Sequence, residues 1–237
     1  ISGHKITRNK KLKDVYYSSR SELHGERFDG IAWGLQKFTE DFLKKWTINC
    51  IKKFKIKDVI LSGGVAQNIK AVKYLQDQKM IKSVWTGPIS GDGSLSIGAA
   101  WMASKYYDKT NKIKGLEDIY LGSKISDEEI KKVVNSKCKK FKILKDVKNK
   151  NIAKWIANGL IVARCVGRME FGQRALGNRS ILADPRRMES VEKINSKIKY
   201  RDFWMPFTPS MTYEGSQKIL KNPKKVYSPF ITMAFDL

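Results

Sequence analysis

No run of apolar residues in this sequence approaches the roughly 18 that a membrane-crossing helix needs. The opening stretch, ISGHKITRNKKLKD, has no apolar core of a secretory leader. Cysteine is scarce. Cys50, Cys138 and Cys165 lie far apart, are odd in number and match no metal spacing. That pattern excludes a disulfide framework and predicts a reducing, cytoplasmic setting. Cys165 reads as a small buried apolar residue. The two histidines, His4 and His24, form no ligand pair and read as surface loop residues. Arginine is missing altogether between Arg27 and Arg164, and then seven fall between Arg164 and Arg201. No initiating Met is present and the last residues, Phe235-Asp236-Leu237, interrupt an apolar run, so both ends read as cuts from a longer protein.

What is there is enough for a folded core. In 237 residues, 41% are hydrophobic and 30% charged, which predicts one large or two small domains and excludes wholesale disorder. The net charge of +24 invites a nucleic-acid partner. Its distribution argues otherwise: of 47 basic residues only ten are arginine, and the lysines are spread along the whole chain on solvated faces. In a chain that defaults to lysine, clustered arginine points to a need for the planar fork that grips phosphate or carboxylate.

Apolar spacing near 3.6 residues through Ile31, Leu35, Phe38, Phe42, Trp46 and Ile48 predicts one helix over 28–54, with Asp29 as its N-cap. A buried strand over 57–62 follows, ending in Gly63-Gly64. Then come a helix over 66–78, a strand over 82–85, a glycine turn at 88–94 and a helix of small residues around 97–101. This order predicts an α/β domain with ligand loops at strand ends. The polar stretch 105–114 reads as a connector, giving domains 1–110 and 111–237. Beyond it, Ser126 and Glu129 form a capping-box pattern opening a helix to about 134. A helix over 147–159 ends at Gly159, a strand covers 160–166, and the tail 227–237 alternates as a strand does.

Three motifs carry chemistry. In Leu61-Ser62-Gly63-Gly64-Val65-Ala66-Gln67-Asn68, two glycines after a strand let backbone N–H groups approach an anion at a helix start. Asn68 falls one helical turn in, on a side that would reach a nucleotide; a plain tight turn is the alternative. In Ser90-Gly91-Asp92-Gly93-Ser94, a carboxylate between glycines suits a metal or water beside a phosphate, against a simple helix-capping turn at Ser94. The third motif, GRMEFGQRALGNRSILADPR over 167–186, is far more specific. Its density of arginine, glutamate and glycine fits neither a core nor a helix. One arginine would pair with Glu170. Arg168, Arg174 and Arg179, with Asn178 and Ser180, would hold a phosphate together with a small planar amide. Downstream, KIKYRDFWMPFTP over 197–209 adds Lys199 and Arg201 to Phe203, Trp204 and Phe207, a segment that would close over a base or phosphate or pack as core.

GRMEFGQRALGNRSILADPR closely resembles the signature of the C-terminal domain of the carbamoyltransferase family, which includes nodulation-factor, cephem and aminoglycoside carbamoyltransferases. LSGGVAQN and SGDGSLSIGAA are similar to the second-lobe nucleotide loops of the same family, and the likeness runs from about residue 25 to the end. It implies the second lobe of an actin-like ATPase domain followed by an α+β YrdC-like domain. It also implies an O-carbamoyl transfer in which carbamoyl phosphate and ATP give carbamoyl adenylate, and a hydroxyl-bearing small molecule or glycan accepts the group. By that resemblance Arg168, Arg174 and Arg179 are catalytic, and Gly63, Gly64, Asn68, Gly91 and Asp92 hold ATP. Arg168, Glu170, Asn178, Ser180, Lys199 and Arg201 contact the carbamoyl substrate. Asp92 ligates a divalent metal, iron by resemblance with Mg as the alternative.

Two departures stand out. Gln173 replaces the family's usual Pro, and the first lobe with its metal-binding histidine pair has no counterpart, so this chain alone is not expected to complete the reaction. Competing readings are a tRNA-modifying threonylcarbamoyl-type relative and a non-catalytic basic nucleic-acid module. The twenty-residue motif argues against the first, and the dispersed lysines against the second. No membrane partner is expected, and an oligomer is compatible with everything above.

Overall fold

The computed structural model describes residues 1, 3–6, 15–108, 115, 116, 118–137 and 140–237. Cys138 and part of the predicted connector fall outside the described residues. The chain divides into two compact units, 1–111 with 214–237 and 112–213. The last 24 residues, read from the sequence as part of the second domain, thus pack with the first unit.

The first unit opens with α1 (Val15–Leu23) and α2 (Phe28–Phe54). The predicted stripe does form one long helix, and it buries Leu43, Thr47 and Ile51. The cap position is Arg27, not Asp29. Asp29 sits in the first turn, where its carboxylate accepts from Arg27 Nε at 3.0 Å, from Arg27 Nη2 at 2.7 Å and from the Gly30 amide at 3.0 Å. A negative charge there also meets the positive end of the helix. β1 (Asp58–Leu61) pairs in parallel with β2 (Ser83–Thr86), Asp58 opposite Ser83 and Leu61 opposite Thr86. A parallel pair needs a crossover, supplied here by α3 (Ile69–Gln76). The helix predicted over 66–78 is broken into a 3-10 turn, Gly64–Gln67, and α3. Asn68 between them is extended and caps α3, its Oδ1 accepting from the Ala71 amide at 3.1 Å.

Leu43, Ile51, Ala71, Val72, Leu75, Ile81 and Val84 form the core, with Phe42, Trp46, Val59, Leu61 and Met233 packed on it. The buried Gln76 is satisfied because its Oε1 accepts from the Val84 amide at 2.6 Å. A 3-10 turn, Asp92–Ser94, leads into α4 (Leu95–Tyr107), none of whose side chains is buried. The tail 227–237 is not the predicted strand: Pro229 has no amide to donate and Ile231 turns to φ 58°. One bridge remains, the Lys221 amide donating to Asp236 O at 2.8 Å. Lys224 ties the tail down instead. Its Nζ donates to the carbonyls of Gln76, Gln78 and Ile81, just past the C-terminal end of α3. Burial lowers the Lys224 pKa, with Asp77 acting in the opposite sense.

The second unit contains α5 (Asp127–Lys137), α6 (Asn149–Ala157), β3 (Val162–Cys165), β4 (Arg179–Leu182), α7 (Met188–Lys193) and a π turn, Ile194–Lys199. α8 (Tyr213–Ile219) leads back to the first unit. The capping box is present: Ser126 N donates to Glu129 Oε2 at 2.8 Å and Glu129 N to Ser126 Oγ at 3.2 Å. α6 ends before Gly159, which takes φ +86°, a value that only glycine adopts without strain. β3 and β4 pair antiparallel, Val162 opposite Leu182 and Cys165 opposite Arg179, and the motif forms the connection between them. Cys165 is exposed, not buried as expected, because the hairpin turns that face outward.

Candidate functional site

In the first unit, the two glycine motifs meet at the carboxyl ends of the parallel strands. Gly63 N donates to Ser90 O at 2.6 Å and Ser62 Oγ to the same oxygen at 3.3 Å. Gly63 stands at φ 102°, outside the range of other residues. A Cβ on Gly91 would lie 2.7 Å from Gln67 Nε2, the end of a flexible side chain that can swing aside, and 3.9 Å from Gly64 Cα, so the loops are close without demanding glycine at 91. Asn68 does not face an open site: its Nδ2 donates to Gln36 Oε1 at 2.8 Å while Oδ1 caps α3. Asp92 is exposed at the start of its turn. Among the described residues no three His, Cys, Asp or Glu side chains gather for a metal, so Asp92 supplies one carboxylate by itself. Two hydroxyls at these strand ends, Thr86 Oγ1 and Ser90 Oγ, are buried without a hydrogen-bond partner. The sequence drew no attention to Thr86.

In the second unit, the motif is organised around Glu170, whose residue is only 7% exposed. Among the described residues no arginine pairs with it, contrary to expectation. Its Oε1 accepts instead from the backbone amides of Leu176 at 2.8 Å, Asn178 at 2.7 Å and Arg179 at 3.2 Å. Burial disfavours the charge, yet these amides and Glu170's own outweigh it and hold the carboxyl below its ordinary pKa. The carboxylate therefore works as a strut for the loop 171–179.

The neighbouring side chains finish the same frame. Arg168 donates from Nε to Gly122 O at 3.0 Å and from Nη2 to Leu121 O at 2.9 Å. Arg179 donates from Nη1 to Val166 O at 2.7 Å and from Nη2 to Gly167 O at 3.3 Å. Asn178 Nδ2 donates to Arg168 O at 2.8 Å, and Ser180 Oγ accepts from Gly177 N at 2.9 Å. Arg174 is different. It is exposed within the braced loop and makes no hydrogen bond or ion pair among the described residues.

Two further buried polar groups fix the flanks. Asp184, 4% exposed, receives Arg186 through Nε at 2.9 Å and Nη2 at 2.7 Å, and the Arg186 amide at 3.0 Å. These bonds, from the Arg186 side chain foremost, bring its pKa down to about 2. Asn195, 1% exposed, accepts from Arg201 Nε at 2.7 Å and donates to the carbonyls of Phe203 at 3.2 Å and Met205 at 3.3 Å. Arg201 thereby lies 4.5 Å from the centre of the Phe207 ring. Phe203, Trp204 and Phe207 are exposed and do not form core. Lys199, like Arg174, is exposed with no partner among the described residues. Asn195 escaped the sequence reading because nothing distinguishes a buried asparagine from a surface one in a polar stretch.

Comparison with known proteins also finds two parts, though the second includes the tail 214–237 that packs with the first unit. Residues 2–101 match the family described as carbamoyltransferase N-terminus, and residues 153–237 the one described as carbamoyltransferase C-terminus. Uncharacterized protein MJ1051 of Methanocaldococcus jannaschii is 33% identical over 99% of this chain and 44% of its own length. Uncharacterized protein sll1178 of Synechocystis is 32% identical over 97% of the chain and 38% of its own length. Nodulation protein NolO of Bradyrhizobium diazoefficiens is 34% identical over 69% of the chain and 30% of its own length. The chain thus spans less than half the length of these relatives. With both family domains matched in order, and the arginine motif inside the second match, the chain belongs to the carbamoyltransferase family.

Proposed function

We propose that this chain contributes the nucleotide loops and the carbamoyl-binding motif of an ATP-dependent O-carbamoyltransferase. On this reading the first unit is the second lobe of an actin-like ATPase domain, and the motif-bearing unit is YrdC-like. Water cleaves carbamoyl phosphate to carbamate and phosphate. A carbamate oxygen then bonds to the α-phosphorus of ATP, and the α–β phosphoanhydride bond breaks to leave carbamoyl adenylate and release pyrophosphate. An acceptor hydroxyl oxygen then bonds to the carbamoyl carbon, the bond from that carbon to the AMP oxygen breaks, and the hydroxyl proton leaves to solvent. The acceptor is a small molecule or glycan, and the setting is cytoplasmic.

The observation that carries the reading is Arg174, a guanidinium with no partner among the described residues in a loop braced by a buried carboxylate. A cation held without an internal partner retains its five donors for an incoming phosphate or carbonyl oxygen. Lys199 offers a second such charge. Arg168 and Arg179 keep the loop in shape and would add to the positive field that favours charge developing on the departing oxygen.

The residues present also fit ATP in the first unit. Glycine backbones at strand ends allow close approach of a polyphosphate, and the orphaned hydroxyls of Thr86 and Ser90 lie at those same ends. They do not by themselves fit iron or Mg: with Asp92 as a lone carboxylate, no step is assigned to a metal.

The test is pyrophosphate release from ATP by the intact protein, with and without carbamoyl phosphate. Release that requires carbamoyl phosphate is expected. Arg174→Ala should lower kcat/KM by about 10- to 100-fold, the worth of one charge-assisted hydrogen bond, with the melting temperature unchanged. Release that ignores carbamoyl phosphate would sink the reading.

A further inference from the structure

The segment 119–124 lies in neither family match, which cover 2–101 and 153–237. Yet it runs along the motif as a strap. Phe171 N donates to Ile119 O at 2.6 Å, Gly122 N to Met169 O at 2.9 Å, and Met169 N to Ser123 O at 3.1 Å. Lys124 and Arg168 form an antiparallel bridge, and the Arg168 guanidinium spans the carbonyls of Leu121 and Gly122. Ile119 is buried, which fixes one end of the strap. The Tyr120 hydroxyl donates to Leu176 O at 3.0 Å. Leu176 is also one of the three residues whose amides Glu170 receives. The peptide groups on either side of Leu176 are therefore held from two directions, by Glu170 within the motif and by Tyr120 outside it.

Gly122 shows how closely strap and motif are fitted. A Cβ there would stand 2.8 Å from Met169 Cβ and 2.9 Å from Met169 O, distances real Cβ atoms do not reach. One contact is with backbone, so a side chain at 122 would have to displace the strap or the motif.

We infer that residues 119–124 are a positioning element of the transfer site, setting through Tyr120 and Gly122 where the loop 171–179 presents Arg174. Tyr120 is a positioning residue: it acts through Leu176 and touches no reacting atom. The inference rests on the proposed carbamoyl-transfer reading for its consequence, and on the strap's hydrogen bonds for its geometry.

Two measurements separate these supports. The first is amide hydrogen exchange in the intact protein, comparing wild type with Tyr120→Phe and Gly122→Ala. Both variants should raise exchange at 170–179, Tyr120→Phe by about two- to tenfold for the loss of one hydrogen bond. Exchange on α6, which belongs to the same unit as the strap, should stay unchanged, which also shows that the variants fold. Equal protection of 170–179 in wild type and both variants overturns the strap, whatever the enzyme does.

The second is kinetic, in the intact protein. Tyr120→Phe should raise KM for carbamoyl phosphate about two- to tenfold and leave KM for ATP in place. Added to Arg174→Ala, it should cost nothing more, because both changes remove one function. Equal shifts in both KM values, or full additivity with Arg174→Ala, would reduce Tyr120 to a structural residue and overturn the inference. If the wild type releases no carbamoyl-phosphate-dependent pyrophosphate, the transfer reading fails, and the exchange experiment still decides the strap.

Discussion

Asp184 has almost no exposed surface and stays charged because Arg186 meets it with side chain and backbone together. Its folded pKa of about 2 lies below the ordinary carboxylate value of about 3.9. The native state therefore binds this proton less readily than the unfolded chain does. The stabilisation is complete above the unfolded pKa and is lost as pH falls through the folded one. Asp184→Asn should accordingly melt below wild type at pH 7, and the gap should shrink as pH drops from about 4 toward about 2; thermal melts across that range check it. Glu170 shares the direction of the shift. Glu170, Asp184 and Asn195 are each a buried polar side chain that gathers backbone groups, and Asp184 and Asn195 also take one arginine each, Arg186 and Arg201. Sequence reasoning gave the chemistry to the arginines. Arg174 and Lys199 keep their donors unpartnered among the described residues, while Arg168, Arg179 and Arg201 share theirs with nearby carbonyls or Asn195.

At the scale of elements, Asn68 connects the two readings most sharply. A residue between a glycine turn and a helix can face a ligand or cap the helix, and the backbone decides. With φ −76° and ψ 91°, Asn68 is outside the helix, and its Oδ1 reaches Ala71 N. Asn68→Ala should cost about 1 kcal/mol of stability, read as a lower denaturant midpoint with unchanged slope. A nucleotide role would appear as a separate rise in KM for ATP. α2 was legible over its full 27 residues, since a stripe that long has one helical solution. The capping box at Ser126 was legible for the same local reason. The tail was not, because alternation alone cannot reveal that no neighbouring strand is available to pair with it.

For the whole molecule, the final 24 residues return to the first unit, and Lys224 is the clasp. Its ammonium makes three hydrogen bonds to carbonyls around the end of α3, and Lys73 meets Asp236 at 2.9 Å nearby. Lys224→Met should leave the three carbonyls short of a donor and loosen 214–237. Limited proteolysis should then cut the tail sooner than in wild type, while the fragment spanning α2 and α3 persists. Equal cleavage rates would show that apolar contacts such as Met233 on the core hold the tail without the clasp. The net charge of +24, the loudest property of the sequence, takes no part in these contacts beyond a few lysines.

By itself the sequence determined the helices with long apolar periods, the two strands ending in glycine, the capping box and the motif that carries the family, since each depends on neighbours within a turn or two. Tertiary structure alone decided that Glu170 binds amides instead of an arginine, that 119–124 straps the motif, and that the tail belongs with the first unit. Those outcomes depend on which distant backbone groups come within about 3 Å of one another. No local periodicity records that distance.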